Sequence, residues 1–265
     1  MFKGVLIGDP VSQSLSHITH NAVLKKIIYP GTYEKILVPQ EKIKEALSEL
    51  KKSKIKWLAV TMPLKDEIVP HLDYLRHRAY ELQLVNTVLI KDGQWIGENC
   101  DGLGAMNAIE KEMQVRGKRL LIVGAGATAK AIAYEAKLRG AEVFIWNRTH
   151  IRAESICIDL QIECAYELTN EYDILINATS VGMFSEEFLI PADVLRGIEV
   201  VMDVVYSPFE TPLLKTAKSV GCKIVSGLEM FLELSSIQLE WALNPPVTRE
   251  ELISIMRDSL NEIKL

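Results

Sequence analysis

Apolar positions recur along the chain in two alternating rhythms. Short, largely apolar runs such as KGVLIGD (3–9), YEKILVP (33–39) and KWLAVTMP (56–63) have the length and β-branched content of strands. Between them, apolar residues fall three and four apart in SHITHNAVLKKI (16–27) and in the charged QEKIKEALSELKKS (40–53), which predicts helices, the first capped by Ser16. HLDYLRHRAYEL (71–82) reads as a further helix. VNTVLIK (85–91) and QWIGEN (94–99) read as two strands joined at Asp92 and Gly93, a dipeptide that favours a tight hairpin.

A second series starts near Asp101. DGLGAMNAIEKEM (101–113) predicts a helix, KRLLIVGAG (118–126) a strand running into a glycine turn, ATAKAIAYEAKLRG (127–140) a helix closed by Gly140, and AEVFIWN (141–147) another strand. DILINAT (173–179), EVVMDVV (199–205) and KIVSG (223–227) continue the strands. The last stretches, 228–244 and 248–264, are helical only and are expected to pack back on the first domain. Such alternation predicts an α/β fold of parallel sheets covered by helices on both faces. Two domains are expected: residues 1–101 with the returning helices 237–265, and a Rossmann-like domain over 102–236.

Composition narrows the functions open to such a fold. At 265 residues and 48% hydrophobic, the chain fills a substantial core. Thirty basic against 35 acidic residues leave a net charge of −5, so no basic field gathers nucleic acid or anionic lipid. No apolar run reaches the roughly 20 residues that cross a bilayer, and MFKGVLIGDP lacks a signal-type core, so a cytoplasmic protein is expected. The cysteines at 100, 157, 164 and 222 are scattered. That spacing argues against a disulfide framework or a zinc site. His17 and His20 stand at helical spacing without a third ligand nearby, and no metal is expected.

LLIVGAGATAKA (120–131) is the strand, turn and helix start that receives a pyrophosphate: Gly124 and Gly126 allow close backbone approach, and the helix amides point at the anion. The G-x-G-x-x-G pattern is incomplete, with Ala129 at its third position, where a small residue still permits close helix packing; the alternative reading is a plain glycine-rich turn. The following strand leans towards a phosphorylated ribose. It ends in Asn147, Arg148 and Thr149, with Arg152 beyond and no acid before Glu154, and arginines suit a 2′-phosphate dianion. The other reading of Arg148 and Arg152 is one solvated helical turn.

A nicotinamide-dependent carbonyl reduction also needs a proton donor. Lys65 follows Pro63 beyond the strand WLAV, at the sheet edge where α/β folds bind ligands. Asp101 lies just past another strand, and the pair is a candidate acid/base couple, against the reading of two ordinary surface charges. In GDPVSQSLSH (8–17), Ser12, Ser14 and Ser16 gather hydroxyls at a helix start, where a carboxylate would be stabilised or a single serine would simply cap.

Together these residues resemble the shikimate dehydrogenase family nearly end to end, through GDPVSQSLSHITHN, VTMPLK, VNT, ENCDG, GAGATAKA, NRTHIRA, INATSVGM, DVVYSPFETPLL and SGLEMF. The resemblance implies a two-domain enzyme that reversibly reduces 3-dehydroshikimate to shikimate with NADPH, on the way to the aromatic amino acids. By position it implies Lys65 as the proton-transfer residue paired with Asp101. Ser14, Ser16 and Tyr206 would hold the substrate carboxylate, and Thr61, Asn86 and Asp101 the ring hydroxyls. Gly124, Ala125, Gly126, Ala127, Thr128, Asn147, Arg148, Thr149 and Arg152 would bind NADP, with Val204 and Gly227 near the nicotinamide. A homodimer is an assembly the sequence leaves open.

The chain departs from the family pattern at Ala59 and Leu234, where an asparagine and a glutamine are usual, and at Cys100, Ala127 and the pair Gln83 and Leu84. The first two each delete a substrate-facing amide, worth on the order of 1 kcal/mol. Two alternatives follow: a weakened or re-specialised relative, acting on quinate or another cyclic hydroxy-acid or binding NADP as a sensor, and a dehydrogenase of the methylenetetrahydrofolate type. The latter leaves the serine turn unexplained.

Overall fold

The computed structural model describes residues 2–183 and 190–262 and divides into two compact units, Met1–Cys100 with Ser235–Leu265, and Asp101–Leu234.

The first unit carries β1 (Phe2–Gly8), α1 (Ser16–Lys26), β2 (Gly31–Leu37), α2 (Ile43–Lys52), β3 (Trp57–Val60), β4 (Tyr74–Leu75), α3 (His77–Leu82), β5 (Thr87–Lys91) and β6 (Gln94–Glu98). Its six strands are ordered β2-β1-β3-β5-β6-β4. The sheet is mixed, which corrects the expectation of parallel sheets: β1 runs parallel to β2 and β3, but β5 is antiparallel to β3 and β6. The hairpin at Asp92 and Gly93, whose φ angles of 53° and 81° return the chain at once, accounts for the antiparallel β5–β6 pair. Residues 71–82 also depart from the predicted helix. A 3-10 turn at Val69–His71 leads into β4, which pairs with β6, so only His77–Leu82 is helical. One side of the sheet is filled by Val5, Ile7, Leu58, Val60, Val88 and Trp95 against Ile43, Leu47 and Leu50 of α2.

The second unit carries α4 (Asp101–Glu110), β7 (Arg119–Val123), α5 (Ala127–Leu138), β8 (Glu142–Trp146), α6 (His150–Leu160), β9 (Glu163–Cys164), β10 (Ile174–Asn177), α7 (Ala192–Leu195), β11 (Val200–Asp203), α8 (Pro212–Ser219) and β12 (Lys223–Val225). All its strands are parallel, in the order β12-β11-β10-β7-β8-β9. Leu120, Leu121, Ile122 and Val123 are all fully buried, as a strand covered on both faces requires. The chain leaves β7 in one direction and β10 in the other, so the sheet reverses between them, where doubly wound folds bind ligands.

A disulfide joins Cys157 to Cys164, which corrects the expectation drawn from the cysteine spacing. Gln161 closes α6 with a left-handed φ of 52° and turns the chain straight into β9, bringing the two Cα atoms to 6.0 Å. The unit boundary falls within α9 (Gly227–Leu243). The final α10 (Arg249–Asn261) opens on a capping box between Thr248 and Glu251 and packs on α1, as the sequence suggests for the returning helices. Positions 263 and 264 of that predicted helix lie outside the described residues.

Candidate active site

In the first unit, three chain segments meet at one edge of the sheet. β1 ends at Gly8, against which Thr61 packs so closely that no side chain fits. Asp9 N–H then donates to Met62 C=O at 2.9 Å, and Thr61 N–H to Ile7 C=O at 2.9 Å, tying the serine turn to the TMPLK segment. β5 is antiparallel, so its first residues come to the same edge: Val60 N–H donates to Asn86 C=O and Val85 N–H to Lys65 C=O, at 2.9 and 2.7 Å. Ser14, Ser16, Thr61, Lys65 and Asn86 thus come together on one unit. Lys65 is buried, 8% exposed, and not the solvated surface cation that bare counting favours.

The serine turn differs in detail from its prediction. Ser16 is the first helical residue and Leu15 holds the N-cap position with no side-chain bond, so Ser16 is not the cap. Instead Ser14 Oγ accepts the Ser16 N–H at 3.3 Å and lies 2.8 Å from Ser16 Oγ. The N-cap residue, Leu15, is buried and has no hydroxyl with which to cap. Both hydroxyls therefore remain side by side. Sequence reading missed Lys35, whose Nζ donates to the carbonyls of Ser12 and Ser14 at 3.0 and 3.1 Å. Desolvation lowers its pKa, and its charge, after burial, helps to lower that of His17. The alternation of β2 was the available signal, since it puts Lys35 on the same side as the buried Tyr33.

In the second unit, Asp101 opens α4 and is 3% exposed. The glycine turn links β7 to α5. Gly124 has φ 120°, and an added Cβ would stand 3.0 Å from Ala178 C and O. Gly126 is exposed, with φ −100° and nothing within 4 Å of such a Cβ. Beyond β8, Asn147 Nδ2 donates to Thr149 C=O at 2.9 Å, fixing the loop that carries Arg148 and Thr149 into α6. Arg148, Thr149 and Arg152 are exposed, and neither arginine makes an ion pair among the described residues. Val204 and Gly227 meet: a Cβ on Gly227 would lie 2.5 Å from Val204 O. Tyr206 is half-buried beside Phe231, ring centres 5.5 Å apart.

A buried network braces this end of the second sheet. Asp203 accepts from Thr211 Oγ1 at 2.7 Å, and from Val205 N–H and Asn177 Nδ2 at 3.0 Å each. Asn177 Oδ1 in turn accepts from Thr179 N–H and Oγ1. The Val204 loop and the loop after β10 are thereby joined at the strand ends. Burial pushes the Asp203 carboxyl up to about 6, against its three hydrogen bonds, which favour the ionised form. An acid or amide closing an otherwise apolar strand, as in ILIN and VVMD, was the signal in the sequence.

Residues 6–88 match the shikimate dehydrogenase substrate binding domain and residues 107–196 the shikimate / quinate 5-dehydrogenase domain. A shikimate dehydrogenase (NADP(+)) of Pyrococcus abyssi is 39% identical over 258 residues, 95% of this chain and 97% of that protein. The chain belongs to the shikimate dehydrogenase family. Among solved members, shikimate dehydrogenase from Aquifex aeolicus superposes with a TM-score of 0.91 at 31% identity, covering 98% of this chain and 97% of that one. Shikimate 5-dehydrogenase from Thermus thermophilus, in complex with NADP(H) and shikimate, gives 0.90 at 28% identity, covering 98% and 100%.

The residues of this shikimate dehydrogenase relative fit a dinucleotide. The open space around Gly126, the close passage of Gly124 against Ala178 and the exposed Arg148 and Arg152 are compatible with a phosphate-bearing ligand. Of the departures, Ala59 is buried in β3 opposite Thr87, and Leu234 packs on Gly104, where α4 and α9 approach too closely for a side chain. Ala127 is simply the first residue of α5. Among the described residues no helix is long and apolar enough to cross a membrane.

Proposed function

We propose that the protein is an NADP-dependent dehydrogenase that interconverts 3-dehydroshikimate and shikimate. The single observation that carries the reading is the convergence of Ser14, Ser16, Thr61, Lys65 and Asn86 at one sheet edge, in a chain whose other unit offers a dinucleotide turn. In this reading the Ser14 and Ser16 hydroxyls, 2.8 Å apart, donate to the substrate carboxylate, with Lys35 adding positive charge behind them. Tyr206 serves the same carboxylate. Thr61, Asn86 and Asp101 bind ring hydroxyls. Lys65 gives a proton to the C3 oxygen in reduction and takes it back in oxidation, with Asp101 as its acidic partner. Gly124 to Thr128 would bind the pyrophosphate and Asn147 to Arg152 the ribose phosphate, with Val204 and Gly227 beside the nicotinamide. NADPH, when bound, supplies the hydride that adds to C3.

The test is steady-state oxidation of shikimate with NADP by the wild type and Lys65→Ala. Loss of positioned proton transfer lowers kcat by roughly 10²- to 10⁴-fold. Shikimate affinity, read by calorimetry, falls less. A Lys65→Ala kcat within tenfold of wild type removes Lys65 from the chemistry. A wild type inactive on shikimate removes the substrate assignment.

A further inference from the structure

Two backbone groups fix the direction of a buried hydrogen-bond chain in the first unit. The Cys100 N–H only donates, so the Asn86 side-chain atom 3.0 Å from it is the acceptor, Oδ1. The Asn86 C=O only accepts, so the Gln238 carboxamide turns Nε2 towards it, at 3.5 Å. That same Nε2 also meets Thr87 Oγ1. A hydroxyl has one proton, and since Gln238 donates to Thr87, the Thr87 proton goes to Asn86 Oδ1, 2.8 Å away, in preference to the weak and more distant acceptor Cys100 Sγ at 4.0 Å. The order is therefore Gln238 to Thr87 to Asn86, with no freedom to reverse. All three side chains are buried, 5%, 0% and 3% exposed.

We infer that Gln238 is a positioning residue for shikimate binding. With Oδ1 accepting from both Thr87 and Cys100, the Asn86 carboxamide is locked as a donor through Nδ2 towards a ligand hydroxyl. Without Gln238, Thr87 can turn its proton towards Cys100 Sγ, and the Asn86 amide loses the Thr87 bond that helps to hold its orientation. The inference rests on the reading of Asn86 as a substrate ligand. It also bears on Leu234: Gln238 stands one helical turn further along α9, on the same side of the helix. An amide absent at 234 thus reappears four residues on, two hydrogen bonds behind the residue that faces the ligand.

The experiment measures shikimate binding by calorimetry without dinucleotide, alongside kcat and KM. Gln238→Met keeps length and removes the donor; it is expected to weaken shikimate about fivefold, the loss of one neutral hydrogen bond, with kcat within about twofold. Thr87→Val cuts the chain at its middle and is expected to weaken binding similarly, whereas Thr87→Ser keeps the hydroxyl and restores it. The double variant Gln238→Met with Thr87→Val is expected to be no worse than Thr87→Val alone, because the chain is already broken. Thermal unfolding of each variant, followed by circular dichroism, reports its folding. Wild-type shikimate affinity in Gln238→Met, or full additivity in the double variant, overturns the inference. Asn86→Ala separates the two levels. If it leaves shikimate binding intact, the site reading itself falls; if it weakens binding while Gln238→Met does not, only the role of Gln238 falls.

Discussion

Gly124 and Gly126 stand two residues apart in one turn, yet the structure gives them different tasks, and alanine at each should separate fold from ligand. At Gly124 the φ of 120° costs a side-chain-bearing residue roughly 1–3 kcal/mol. The new Cβ also lies 3.0 Å from Ala178 C, Ala178 O and Thr179 Cγ2. Two of these are backbone atoms of the loop braced by Asn177, so relief requires moving β7 against β10, an overpacking cost of roughly 1–3 kcal/mol. Together these predict about 2–6 kcal/mol, or a Tm lower by roughly 5–20 °C. At Gly126 the backbone is ordinary and the space empty, so alanine costs at most about 1 kcal/mol as a poorer N-cap. On the proposed reading its methyl group would instead stand where the pyrophosphate approaches, and NADP binding should weaken at least about tenfold. Scanning calorimetry and titration calorimetry with NADP read the two effects separately. Equal losses of Tm in both variants, or wild-type NADP affinity in Gly126→Ala, would refute the reasoning.

Replacing Arg148 and Arg152 together with alanine should raise KM for NADP by about ten- to a hundredfold and leave KM for NAD nearly unchanged, since only the former presents a 2′-phosphate; a parallel loss with both dinucleotides would show a structural role. The Asp203 carboxyl is raised by burial to about 6 from an ordinary 3.8, so the folded state holds its proton more tightly than the unfolded chain does. Stability from this group is complete below about pH 4 and is lost as pH rises through 6, up to about 3 kcal/mol. Denaturant midpoints against pH would show this fall, Asp203→Asn should flatten it, and a carboxyl NMR titration centred near 4 would contradict it.

Much of this was legible because local and global signals agree. In the second unit, strands buried on both faces carry near-continuous apolar runs, and the glycine turn follows the first of them, so the parallel sheet could be read directly. The first unit was harder. β4 is two residues long and exists only through its pairing with β6, which no periodicity over HLDYLRHRAYEL reveals. The antiparallel β5–β6 pair follows from the hairpin at Asp92 and Gly93, whose consequence was available but outweighed by the surrounding alternation, whereas the antiparallel docking of β5 on β3 has no such local signal. The pairing of Cys157 with Cys164 depends on a left-handed φ at Gln161, a conformation glycine or asparagine would have advertised and glutamine does not. Lys35 and Gln238 reach the candidate site through contacts more than 20 residues away in sequence. The motif loops themselves could be read, whereas the residues that brace them could not.

The unusual residues near Thr87 form one cluster and should not be reversible one at a time. Ala59 is the cross-strand partner of Thr87 in the β3–β5 pair, so the two side chains lie on the same face of the sheet, with Cβ atoms about 5 Å apart. Thr87 already receives Gln238 and donates to Asn86. An asparagine at position 59, the residue usual in the family, would enter a site where Ala59 is 5% and Thr87 0% exposed. Its amide could reach the second lone pair of Thr87 only by crowding Gln238, and one of its polar ends would lack a partner, at a cost of about 1–3 kcal/mol. Ala59→Asn alone is therefore expected to lower Tm without improving kcat/KM for shikimate. Adding Gln238→Ala should restore stability by making room. A gain of tenfold in kcat/KM from Ala59→Asn alone, at undiminished Tm, would mean that the alanine is a simple loss and that Gln238 does not compensate for it.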